Sequence, residues 1–169
     1  MSALIGAEGA LEDEYTPVEA VEDLSLAEGA VLVPLAVIDQ AIADRRNARL
    51  GLLLPNDVPV SAAEPYLGAV DLIAVAFPSF SDGRGLSIAM RLRRAGFTGR
   101  LRARGPLIAD QFAEALACGF DEVELPDALA GRQPVAQWLA AKDSVTAHYQ
   151  TGYGETRSIL QQRLDARRG

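Results

Sequence analysis

The sequence predicts an α/β fold: one domain with a mostly parallel sheet flanked by helices, an open sheet being preferred over a partial barrel. Three observations predict it. A chain of 169 residues with 49% hydrophobic and 23% charged residues is long and apolar enough to bury one core without staples. Residues 72–77, Leu-Ile-Ala-Val-Ala-Phe, form an uninterrupted apolar run of the kind found in a strand covered on both faces. A strand–helix cycle then repeats, and Ala95-Gly96-Phe97 and Cys118-Gly119-Phe120 read as the same helix-to-strand crossover used twice.

Element by element, residues 1–29 read as an acidic N-terminal extension or edge segment, in which Tyr15-Thr16-Pro17-Val18 suits an edge strand because Pro17 lacks an amide donor. Residues 30–150 form the predicted α/β core. Its β-branched start at Val31-Leu32-Val33 favours a strand ended by Pro34, and Ile38, Ala41 and Ile42 share one face of a helix over 37–46. A strand over 50–54 stops at Pro55-Asn56-Asp57, and Ser61 with Glu64 caps a short helix that Pro65 limits. After the strand over 72–77 come a polar loop (79–85), a helix to Ala95, a strand over 100–104, a helix over 107–118 and a strand over 121–125. A short helix around Val135 to Leu139 closes the core, with Trp138 in an apolar contact, and residues 151–169 read as a helical tail with few apolar positions.

Composition removes several classes of function. A single cysteine and a single histidine exclude an internal disulfide, a Cys-rich zinc site, an unaided iron–sulfur cluster and multi-histidine metal centres, so no metal site is expected and no cofactor is evident. Cys118 reads as a packing residue and His148 as incidental. No apolar run of eighteen residues and no basic leader is present, so a cytoplasmic protein without a membrane segment is expected. Glycine-rich nucleotide loops and a nucleophile elbow are missing too. The net charge of −7, with ten acidic and three basic residues in positions 1–50, argues against nucleic acid as a partner.

Against that acidic background, residues 83–109 hold seven arginines and no Asp or Glu. Arg84, Ser87, Arg91 and Arg94 recur at helical spacing, opposite Ile88, Ala89, Leu92 and Ala95. On the strand, Arg100, Arg102 and Arg104 alternate with Leu101 and Ala103. Three arginines on one strand face require an edge, an anion site or a carboxylate-rich cleft, because buried unpaired charge is costly. The loop Phe80-Ser81-Asp82-Gly83-Arg84-Gly85 precedes a helix at the carboxyl end of the strongest strand, where α/β folds collect ligands. Ser81, Gly83, Arg84, Arg102 and Arg104 are therefore the candidate anion-binding residues, and Asp82, Asp110 and Gln111 the candidates that orient them. This reading expects Arg84 and Arg102, from neighbouring crossover units, to meet around one pocket. No catalytic residue is assigned.

Leu54-Pro55-Asn56-Asp57, Phe80-Ser81-Asp82-Gly83-Arg84, Leu101-Arg102-Ala103-Arg104-Gly105, Asp110-Gln111 and Cys118-Gly119-Phe120-Asp121 together resemble the bacterial domain-of-unknown-function 934 family, over roughly residues 30–150. Members are often labelled probable oxidoreductases involved in sulfite reduction. Arg84, Arg102, Asp110 and Gln111 match characteristic positions, whereas Ser79, Leu86 and Met90 stand where relatives often carry a basic, an aromatic and an arginine residue. The resemblance implies an accessory protein of assimilatory sulfite reduction, and the arginine-rich site suits either a small sulfur oxyanion or a partner such as sulfite reductase or another sulfur-assimilation protein. Two alternatives stand beside it, a sulfite-pathway oxidoreductase using an external electron carrier and a structural adaptor or soluble binding domain.

Overall fold

A computed structural model describes residues 2–44 and 49–154. Eight strands form one sheet: β1 (Ala3–Gly6), β2 (Gly9–Leu11), β3 (Tyr15–Pro17), β4 (Ala30–Pro34), β5 (Leu50–Leu54), β6 (Leu72–Ala76), β7 (Arg100–Arg104) and β8 (Glu122–Leu125), in the spatial order β2-β1-β8-β7-β6-β5-β4-β3. Strands β3 to β8 run parallel in sequence order, and β1 is antiparallel to both β8 and β2. The helices are α1 (Leu35–Asp44), α2 (Arg84–Arg94), α3 (Phe112–Cys118), α4 (Asp127–Ala130) and α5 (Val135–Gly154), with 3-10 turns over Val60–Ala62, Glu64–Tyr66 and Ala109–Gln111. The expected tail lies largely outside the described residues: α5 continues through Gly154, and residues 155–169 are not described.

Because each crossover steps to the next strand in the same direction, crossovers of one hand deliver every helix to the same face of the sheet. The strands alternate accordingly. Val31, Val33, Leu52, Leu54, Ile73, Val75, Leu101, Ala103 and Val123 belong to the large core under the helices, while Leu32, Leu72 and Ala74 pack with Tyr15 on the opposite face.

That second face is concave, and the chain's connectivity shows why. Eight flat strands would hold their edges about 34 Å apart. Here the edge strands β2 and β3 are joined by Glu12-Asp13-Glu14, so Leu11 and Tyr15 lie at most about 15 Å apart. The sheet must curl, and the result is an open half-barrel. Tyr15 of β3 therefore reaches arginines four strands away, with the Arg100 and Arg102 guanidinium carbons 5.5 and 5.8 Å from its ring centre. Gly51, on the intervening strand β5, keeps room for that ring: a Cβ there would lie 3.2 Å from Tyr15 and 3.0 Å from Leu32.

The repeated crossover is present. Gly96 and Gly119 adopt φ of +97° and +111°, and the next residue in each case, Phe97 or Phe120, donates its amide back into the helix and buries its ring. Trp138 of α5 is fully buried in an edge-to-face contact with Phe112, ring centres 5.4 Å apart. Cys118 is only partly buried at the end of α3, where burial and the nearby Glu114 push its thiol pKa up.

Candidate functional site

The alternation on β7 divides its side chains as period two requires: Leu101 and Ala103 enter the helix-side core, and the arginines enter the concave interior. Of the three settings open to such a face, the chain uses the carboxylate-rich one. Register places Glu122 and Glu124 of β8 directly opposite Arg102 and Arg104. Arg102, 1% exposed, donates from Nε to Glu122 at 2.8 Å, from Nη1 to Glu124 at 3.0 Å, and from Nη1 and Nη2 to the two oxygens of Asp13 at 2.8 and 2.9 Å. Arg104 donates from Nε to Glu124 at 3.1 Å, and Arg100 lies 3.6 Å from Glu122 and 3.5 Å from Glu14.

This network fixes the charge states of Arg102 and Asp13. Burial lowers the Arg102 pKa, but hydrogen bonds and charge from Asp13 and Glu122 more than reverse that, so the guanidinium stays charged. Burial raises the Asp13 pKa, and the Arg102 hydrogen bonds together with the Tyr15 amide outweigh it, holding the carboxyl below its ordinary value of 3.8. Asp13 thus clamps the segment between the two edge strands to the middle of the sheet.

Arg84 sits elsewhere. As the first residue of α2 it belongs to the helix-covered side, whereas Arg102 points away from the helices, so the two do not meet. Among the described residues the expected shared pocket is not formed: Arg84 borders clefts with Asn56 and Asp57, while Arg102 is enclosed by its carboxylates on the concave face. Arg84 is 61% exposed and grips Asp82 with contacts of 2.6 to 3.2 Å, while the Asp82 carboxylate also accepts from the Arg84 amide, the first of α2. The Arg84 guanidinium holds the Asp82 carboxyl far below the usual range. Arg84 faces a cleft of about 400 Å³ shared with Asn56, Asp57, Ser87 and Arg91.

The remaining candidates gather around the 79–83 loop. Ser81 Oγ is 2.9 Å from Ser79 Oγ, and Gly83 precedes α2. Gln111 donates its amide to the Phe80 carbonyl at 2.6 Å and accepts from the Ile108 amide, thereby joining two loops at adjacent strand ends. Asp110 is exposed and makes no ion pair among the described residues. The outer face of α2 presents Arg91 and Arg94, both exposed and without an ion pair among the described residues, beside exposed Met90.

At the carboxyl ends of the parallel strands, the concave face opens into a cavity of about 1020 Å³ bordered by Asp13, Tyr15, Leu53, Arg104, Glu124 and Asp127. Sequence reasoning missed Asp13 and Tyr15. The available signal was the pair Leu4-Ile5-Gly6 and Gly9-Ala10-Leu11 around a two-residue turn, which marks the β1–β2 hairpin.

These features define a class: a sequentially wound α/β half-barrel with an ion-paired interior, a ligand-sized mouth and an arginine-bearing outer helix. Within that class, the chain belongs to the DUF934 family, described as bacterial protein of unknown function, whose model matches residues 51–160. The match begins at β5, so Arg84, Arg102, Arg104, Glu122 and Glu124 fall inside it, and Asp13 and Tyr15 precede it. No curated protein matches the chain. No helix among the described residues is long and apolar enough to cross a membrane.

Proposed function

We propose that this chain is an accessory protein of assimilatory sulfite reduction that docks on an acidic surface of a sulfur-assimilation protein through the arginine face of α2. The pathway assignment rests on the motif resemblance. The docking mode rests on one observation: Arg91 and Arg94 are exposed and unpaired among the described residues, in a stretch from 83 to 109 that contains no acidic residue. Met90, 38% exposed and next to Arg91 on α2, adds apolar area to this basic surface. Arginine and methionine side chains are among the types enriched in protein interfaces. Arg84 contributes less, since Asp82 already neutralises it.

Calorimetric titration against purified sulfite reductase tests this reading, at about 50 mM and about 500 mM salt, because exposed charge pairs weaken as the Debye length contracts. Saturable binding at low salt that weakens at high salt, and that the Arg91→Glu, Arg94→Glu variant loses, supports it. Absence of binding at low salt, or equal binding by the variant, rejects it. A parallel sulfite titration that gives heat with the native chain and none with Arg84→Ala would move the function to direct oxyanion binding.

A further inference from the structure

The chain carries two exposed surfaces of opposite charge, each with apolar side chains among the charges. Residues 1–44 contain ten acidic residues and no Lys or Arg, the mirror of the acid-free stretch from 83 to 109. Within that segment a 3-10 turn over Val21–Ser25 buries Leu24 in the helix-side core and packs against α1, which fixes the turn on the helix-covered side of the sheet. Its outer surface is left with Val21, 43% exposed, and Leu26, 80% exposed, the most exposed large apolar side chain among the described residues. Glu19, Glu22, Asp23 and Glu28 flank them along the chain, all exposed and without an ion pair among the described residues. Apolar area held open to water between unpaired acids suits a basic surface that brings apolar area of its own.

The outer face of α2 is such a surface, with Met90 beside Arg91 and Arg94. It belongs to the crossover from β6 to β7, whereas the acidic turn leads into β4. No ion pair joins the two surfaces within one chain among the described residues, so their charges can meet only between two chains. Both lie on the helix-covered side. A two-fold axis between them therefore brings α2 of each copy onto the acidic turn of the other, forming the contact twice and closing the pair. The net charge of −7 opposes association at long range. At about 0.15 M salt the Debye length is about 8 Å, so that repulsion is screened while charges in contact are not.

We propose that this chain pairs with a second copy of itself, the Met90, Arg91 and Arg94 face of α2 in each copy seated on the acidic turn around Val21 and Leu26 of the other. Self-association uses the same arginines as the docking described above but needs no other protein, and a bound copy competes with any acidic partner for α2. Sedimentation velocity of the full chain from about 1 to about 200 μM, in about 0.15 M salt, reads it out. The expected mass rises from 18.0 kDa toward twice that value. The Arg91→Glu, Arg94→Glu variant and the Glu22→Arg, Asp23→Arg variant each stay monomeric alone, because like charges then face each other. Mixed in equal amounts they form a heterodimer, since the reversed α2 of one meets the reversed turn of the other and the second contact is native. Leu26→Ser weakens pairing about tenfold. A thermal melt beside each run establishes that the variant is folded. The Glu22→Arg, Asp23→Arg variant keeps α2 intact, so its titration with sulfite reductase reports the docking reading separately from self-association. The proposal is overturned if the native chain stays monomeric, if assemblies beyond a dimer form, if either charge-reversed variant or Leu26→Ser pairs like the native chain, or if the mixture of folded variants stays monomeric.

Discussion

Arg102 and Arg84 each hold an aspartate by a two-point grip, in surroundings that could hardly differ more. Arg102 is sealed inside the curled sheet, where it joins Asp13 from the N-terminal segment to Glu122 and Glu124 of β8. Arg84 holds Asp82 two residues away on the surface. A local, solvated pair contributes little to stability because water competes for both charges. A buried pair between distant segments is different. Its desolvation is already incurred in the folded state, and removing one member strands the others. Pairing chemistry alone therefore does not reveal which arginine builds the fold and which is free for recognition; the face of the sheet does.

The largest expected effect is at Arg102. Replacement by Met leaves Glu122 and Glu124 buried without their main counter-charge and should lower unfolding free energy by about 3–5 kcal/mol, measured by urea denaturation. A loss under about 1 kcal/mol would place Arg102 with the surface pair and break the contrast. Adding Glu122→Leu to Arg102→Met should recover part of the loss, and the double-mutant cycle gives the coupling directly.

Asp13→Asn should cost about 1–3 kcal/mol, since a charge-assisted grip on Arg102 becomes a neutral one. The pH dependence has a definite sign. Asp13 has a folded pKa below its ordinary 3.8, so its stabilisation is complete above that value and fades as pH falls through the lower folded pKa. Denaturation midpoints followed from neutral to acid should show the native chain and Asp13→Asn converging at the acid end. Midpoints that stay parallel would remove Asp13 from the network.

The smallest effect belongs to the helix face. Arg91→Glu with Arg94→Glu should lower stability by about 1 kcal/mol, because both side chains are exposed and unpaired among the described residues but lie in the last turn of α2, where negative charge opposes the helix dipole. Thermal melts check this, and a large loss would mean that these arginines hold the fold rather than present a surface.

Much of the helix-side architecture was legible in the sequence. The apolar run at 72–77, the Gly-Phe stops at 96–97 and 119–120, and the alternation over 100–104 each report a local rule, and local rules act within a few residues. The curl was not legible, because it depends on which distant strands become neighbours. Glu122 and Glu124 alternate with Val123 in the sequence, yet only the register between β7 and β8 turns them into partners of Arg102 and Arg104. Asp13 looked like one more acid in an acidic stretch, and its value comes from an arginine 89 positions later. The expectation about Arg84 and Arg102 failed for the same reason: adjacency along the chain says nothing about which side of a sheet a residue occupies.

The pairing of β1 with β8 has a consequence for how the molecule is made. Ala3 lies opposite Leu125, so apart from its hairpin partner β2 the strand β1 has no neighbour until synthesis has passed residue 125. The six sequential strands can dock one after another as they appear, each onto its predecessor. The opening hairpin must wait and then seal the far margin, bringing Asp13 across to Arg102 as the final clasp. Loop closure over so long an interval is slow, and until it happens the margin of β8 stands open to association with other chains.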